Sequence, residues 1–193
     1  MFCLRLDSQF RVSQAVKLKP QKFVDRCRLA LLTARNINYS NECIMSLRND
    51  IIGAWQLFSY TETPLDGSAA FNPMGLNPKG LIMYTPDGFM SAQFMHPDRA
   101  YFAINDFYQG TLEEYKAAGS TYVAYSGPFE VDEQQSIVTH SVFVSLLPNW
   151  IGNQQPRLAT LIEDVLTLST AVPIQSKGKL VTSKLIWHRA KAV

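Results

Sequence analysis

Residues Asn77–Gln93, NPKGLIMYTPDGFMSAQ, set the turn Pro86-Asp87-Gly88 between two short apolar runs. Proline presets φ for a turn and glycine accepts positive φ, so the stretch reads as a tight β-hairpin. Upstream, Gly53-Ala54-Trp55 opens the first strand-like segment. Downstream, Arg189 ends the last one. The three features together predict a small antiparallel barrel with an interior. An interior of that size is a place to hold a small molecule.

Outward from the hairpin, short alternating runs continue. Ile52–Thr63 reads as a strand, with a short second strand over residues 68–72. Gly80–Thr85 and Phe89–His96 form the hairpin arms. Thr121–Val131 and Ile137–Leu147 are long strands joined by a polar turn at Asp132–Gln135. Leu158–Ile162 and Val165–Thr170 pair around Glu163-Asp164, and Lys179–Arg189 closes the series. Thr111–Ala118 reads as one short helix, with Thr111 as cap and Glu113 and Glu114 at its positive end. Eight or nine strands and one helix make an all-β domain, a sandwich or a barrel. Alternation places Val181, Leu185 and Trp187 on one buried face and Thr182, Lys184 and His188 on the other. In residues 137–147, Val138, His140, Val142 and Val144 share a side.

The composition, 47% hydrophobic and 18% charged, is that of a globular domain. Its net charge of +2 is unevenly spread. Residues 1–44 hold eight Lys and Arg against three acids, and the remainder holds ten against thirteen. The body therefore offers no electrostatic case for nucleic acid. No apolar run reaches the length of a membrane span. Cys3, Cys27 and Cys43 also lie in the first segment, so the body has neither a disulfide framework nor a Cys/His zinc site. Two domains follow: a basic N-terminal extension, 1–44, with helical spacing over Gln21–Arg35, and the barrel, 45–193. The extension reads as a targeting peptide, a disordered arm, or a stretch upstream of a true start at Met45. The expected location is the cytoplasm, or an organelle if residues 1–44 are a transit peptide.

Residues 50–190 resemble the bacterial and fungal lipocalin-like domain family. The likeness rests on Gly53-Ala54-Trp55-Gln56-Leu57-Phe58-Ser59-Tyr60, the 77–93 run, Ala124-Tyr125-Ser126-Gly127, Val138-Thr139-His140, Pro148-Asn149-Trp150-Ile151-Gly152, Arg157 and Leu166-Thr167-Leu168-Ser169. It implies a closed antiparallel lipocalin-like β-barrel with an internal pocket. It also implies that Trp55 and Arg189 meet at the closed end, with Gly53 leaving room. The T-D-x-R element of secreted lipocalins is absent, which argues against a secreted carrier.

Six residues are candidate ligand contacts: Tyr84, Gln93, Tyr125, His140, Trp150 and Arg157. Tyrosine hydroxyls and the Gln93 amide suit a polar ligand end. Ser91 belongs with them at lower weight. Trp150 is a candidate lid, and Arg157 a partner for a ligand carboxylate. His140 and Tyr125 are the candidate acid–base groups should the protein be an enzyme; the bland reading of His140 is a satisfied interior histidine. His96-Pro97-Asp98-Arg99 reads as a turn with a local Asp98–Arg99 ion pair. The three histidines lack metal-ligand spacing, and no cofactor motif is present. The expected function is binding of a small, partly apolar molecule. The alternative is a cofactor-independent isomerase or cyclase on a secondary-metabolite intermediate. A third reading is a scaffold or dimerisation module with a solid interior. Oligomeric state is open, a homodimer included.

Overall fold

The computed structural model describes residues 46–191. The expectations for residues 1–44 lie outside the described residues. A one-turn helix, α1 (Leu47–Asp50), leads into β1 (Gly53–Pro64). Then follow β2 (Lys79–Tyr84), β3 (Phe89–Met95), helix α2 (Leu112–Ser120), β4 (Tyr122–Asp132), β5 (Ile137–Ser141) and β6 (Val144–Ser145). A 3-10 turn, Pro148–Trp150, precedes β7 (Gln154–Ile162), β8 (Val165–Thr170), β9 (Ile174–Ser176) and β10 (Lys179–Arg189). Neighbouring strands pair antiparallel in the order β1-β2-β3-β4-β5-β7-β8-β10, and β10 returns to β1, closing an eight-stranded barrel. β6 pairs with β4 and β9 with β10, outside the closed ring.

The hairpin forms as its turn residues dictate. Thr85 N donates to Phe89 O at 2.8 Å, and Gly88 takes φ +93°. On β10, Val181, Ser183, Leu185 and Trp187 are buried while Thr182, Lys184 and His188 face out, as alternation requires. The expected strand over residues 68–72 is reduced to a bridge between Glu62 and Phe71. The expected strand 137–147 is broken at Val142–Phe143, where Phe143 N donates to Ser126 O. The break reverses the faces: Val138, His140 and Val142 point inward, but Val144 is exposed. Gly127 permits this crossing, since a Cβ there would lie 1.9 Å from Ser141 O.

β1 contains a second irregularity. The register to β10 slips between Leu57 and Ser59, a bulge that turns Phe58 out to solvent. Trp55 and Leu57 point inward before it, and Tyr60 and Glu62 after it. One strand thus lines the interior along its whole length.

The two ends of the barrel differ. At one end the strands are joined by tight turns at Pro86–Gly88, Glu133–Ser136 and Glu163–Asp164, and α1 packs there. Arg189 lies 4.1 Å over the Trp55 ring, and its Nη2 and Nη1 donate to Asp50 O and Ile52 O. The expected Trp55–Arg189 contact is therefore present. Gly53 serves it chiefly by taking φ +124°; a Cβ there would meet Arg189 at an ordinary 3.6 Å. At the other end lie the long connections 65–78, 96–121, 142–153 and 171–178. Large exposed apolar side chains gather on these, including Leu76, Tyr101, Phe107, Tyr108 and Leu112. That end is the mouth.

Candidate functional site

The barrel interior is ringed by aromatic and aliphatic groups because every strand sends alternate residues inward. Toward the mouth they leave a cavity of about 40 Å³. Tyr60, Phe94, Tyr125, Trp150, Arg157 and Trp187 line it, with Ile82, Leu168, Ile174, Ser183 and Leu185 completing the wall. Of the six residues expected from sequence, Tyr125, Trp150 and Arg157 reach this space.

Arg157 is the buried cation of the interior, 8% exposed on β7. Its Nη1 donates to Pro156 O and its Nη2 to Gln155 Oε1, each at 3.0 Å. Among the described residues no carboxylate lies within ion-pairing distance of it. A guanidinium carries five N–H donors, so it can donate beyond these two bonds. Trp187, 1% exposed, also lines the cavity, and its Nε1–H has no partner among the described residues. An unmet buried donor costs about 1–3 kcal/mol.

His140 and Tyr84 lie beneath the cavity and do not line it. His140 is fully buried and sits between two phenols. Tyr84 Oη is 2.8 Å from Nε2, and Tyr125 Oη is 3.0 Å from Nδ1. Burial, aided by the Arg157 charge, holds the imidazole pKa down to about 3. Burial likewise pushes the Tyr84 and Tyr125 phenols above their usual value. All three are neutral at pH 7. A neutral imidazole donates from one nitrogen and accepts at the other, so one phenol receives and one gives. Tyr125 alone bridges this triad to the cavity.

Gln93 is not an interior residue. It faces out on β3, where its Oε1 accepts from Tyr122 Oη at 2.6 Å. Its neighbours Met90, Ala92 and Phe94 take the inward positions, and their apolar alternation was the signal for this face. Ser91 shares the outer face and accepts from Ser126 Oγ. Asp98 and Arg99 form no ion pair; the Arg99 guanidinium stacks over Tyr122 and donates to Ala118 O. Among the described residues no cluster of His, Cys, Asp and Glu suits a metal, and no helix is long and apolar enough to cross a membrane.

Sequence reading missed Glu62. Only 1% exposed, it accepts from Tyr60 Oη through Oε1, while Oε2 has no partner among the described residues. Burial, then this carboxyl, drive the Tyr60 phenol pKa far upward. Above the interior, Trp150 meets Tyr125 edge-on at 5.6 Å between ring centroids. A second hollow of about 370 Å³ lies on its other side, between α2, β4 and the 145–150 segment. A wider concavity of about 720 Å³ lies at the closed end beside α1, away from the interior groups. Arg189, its cationic group, is already engaged by Asp164 and two carbonyls.

Two comparisons agree with this architecture. The profile of the lipocalin-like domain matches residues 52–190. A protein of Aspergillus oryzae, named 4'-hydroxy-3'-methoxypropiophenone carrier protein ppsC, is 39% identical over 106 residues. That alignment covers 52% of this chain and 96% of the relative. The fold, its inward-facing cavity and the match over nearly the whole barrel lead to one assignment: this chain belongs to the lipocalin-like domain family.

Proposed function

We propose that the protein is a binder of small phenolic ketones in secondary metabolism, holding the ligand without converting it. The observation that carries this reading is the pairing of two buried donor groups, one of them unpartnered, with an aromatic wall. Arg157 and the Trp187 Nε1–H offer hydrogen bonds to an acceptor oxygen. Phe94, Tyr60 and Trp150 offer ring faces and edges around it. A carbonyl on an aromatic ring has both features. The name of the Aspergillus oryzae relative points to the same ligand class.

Binding is favoured over acid–base catalysis by the state of the candidate groups. His140 has both nitrogens occupied and touches no cavity surface. Its depressed pKa and the raised pKa of Tyr125 leave neither a strong acid nor an accessible base at neutral pH. Residues Tyr125, Trp150 and Arg157 are the proposed ligand contacts, with His140 and Tyr84 orienting Tyr125. The cytoplasm remains the proposed location.

Calorimetric titration and thermal shift with 4'-hydroxy-3'-methoxypropiophenone test this. At a free concentration one hundred times Kd the ligand adds about 2.7 kcal/mol of stability. Arg157→Gln removes a charged donor from a buried site, and a loss of at least tenfold in affinity is expected. Absence of any stabilisation by a panel of hydroxyaryl ketones would overturn the proposal.

A further inference from the structure

The interior cavity is too small for the ligand class proposed above. At about 40 Å³ it has room for ordered water but not for a substituted benzene ring. Pockets for small organic ligands begin near 300 Å³. The hollow of about 370 Å³ at the mouth meets that size, and it is lined mainly by apolar groups: Met74, Val123, Leu146, Leu147 and Trp150. Trp150 borders both spaces. It is only half-buried, stands on the 3-10 turn Pro148–Trp150, and touches the interior through an edge contact with Tyr125. Every other residue of the cavity wall lies on a barrel strand or on β9. The wall that yields most cheaply is therefore the indole.

We infer that the ligand site is bipartite, with Trp150 as the partition between an interior polar half and an apolar vestibule. The inference rests on the hydroxyaryl-ketone reading. A bound ligand displaces the indole from Tyr125 and sets its acceptor oxygen toward Arg157 and Trp187. Its alkyl chain lies in the vestibule between Met74, Leu146 and Leu147. Trp150 thus governs admission, and the vestibule selects for chain length.

A homologous series tests this: 4-hydroxyphenyl ketones with acyl chains from acetyl to hexanoyl, measured by titration calorimetry and stopped-flow fluorescence. In the wild type each methylene buried in the vestibule tightens binding about fourfold. Ser120→Trp fills the vestibule from an exposed position on α2. It is expected to abolish the gain from longer chains while leaving the acetyl member within twofold of wild type. Gly119→Trp does the same from the neighbouring position on α2, where a Cβ meets nothing within 4 Å, should Ser120→Trp fold poorly. Trp150→Ala is expected to raise the association rate at least tenfold, with Trp150→Phe intermediate. A chain-length gain that survives in both filling variants, or an association rate unmoved in Trp150→Ala, overturns the bipartite site while the binding function stands. If no member of the series binds the wild type, the functional reading fails and takes this inference with it.

Discussion

His140 owes its protonation state to its place between Tyr84 and Tyr125. The imidazole gains no anion within hydrogen-bonding reach, and the Arg157 charge opposes a second positive charge nearby. Its pKa falls from 6.5 in the unfolded chain to about 3 in the barrel. Between those values the unfolded state binds a proton that the folded state refuses. The stabilisation from this group is thus complete above pH 6.5 and lost progressively as pH falls toward 3, by up to about 1.4 kcal/mol per unit. Urea unfolding of wild type and His140→Gln from pH 7 to 4 checks this. Glutamine keeps a donor and an acceptor but does not titrate, so its stability is expected to fall less steeply. Parallel curves would show that the histidine is not held neutral. Exposed carboxylates such as Glu133, whose pKa is lowered by backbone N–H donors from α1, act on both proteins alike and cancel in the difference.

Helix α2 shows how little an element needs from the core. None of its residues is fully buried, so its ends decide whether it forms. Thr111 Oγ1 accepts from Glu114 N, and the Glu114 carboxylate accepts from Thr111 N at 2.7 Å, a complete capping box. Removing such a cap costs about 1 kcal/mol. Thr111→Ala is expected to speed amide exchange in 112–120 about fivefold and to leave barrel amides unchanged; equal protection in both proteins would refute the capping argument. This helix was legible in the sequence because its signals are local. The hairpin was legible for the same reason: Pro86-Asp87-Gly88 fixes its own turn. Elements set by distant groups were not. Helix α1 is capped by Glu133, which lies on the β4–β5 turn. Strict alternation from Trp55 and Leu57 puts Glu62 outside the barrel; the bulge at Phe58 reverses that, and no residue type in 53–64 announces it. The site was half readable for a related reason. Tyr125, Trp150 and Arg157 stood out by residue type and line the cavity, Arg157 from β7, and alternation gave the inward face of Trp187; Tyr60 and the orphaned Glu62 oxygen depend instead on the bulge and on how strands curl together.

Residues 46–191 form a cylinder sealed at one end and dressed with long loops at the other. The sealed end is a stack. The Ile51 side chain is fully buried, Trp55 Nε1 donates to Ile51 O at 2.8 Å, and Arg189 covers the indole. The Arg189 fork also holds Asp50 O, Ile52 O and the Asp164 carboxylate, tying α1, β10 and the β7–β8 turn together. A cation over an indole contributes about 0.5–2 kcal/mol, and each charge-assisted hydrogen bond adds a comparable amount when shielded. The Asp164 pair is exposed and adds little. Arg189→Ala is therefore expected to cost about 2–3 kcal/mol in urea unfolding. That corresponds to roughly 4–12 °C in Tm for a domain of this size. Arg189→Lys keeps the charge and loses the fork, so it is expected to recover less than half of the deficit. Because the mouth lies at the opposite end, ligand affinity is expected to stay within twofold of wild type in both variants at temperatures where they are folded. A stability change below about 0.5 kcal/mol in Arg189→Ala would mean that β1–β10 pairing alone closes the barrel, with the arginine merely resting on it.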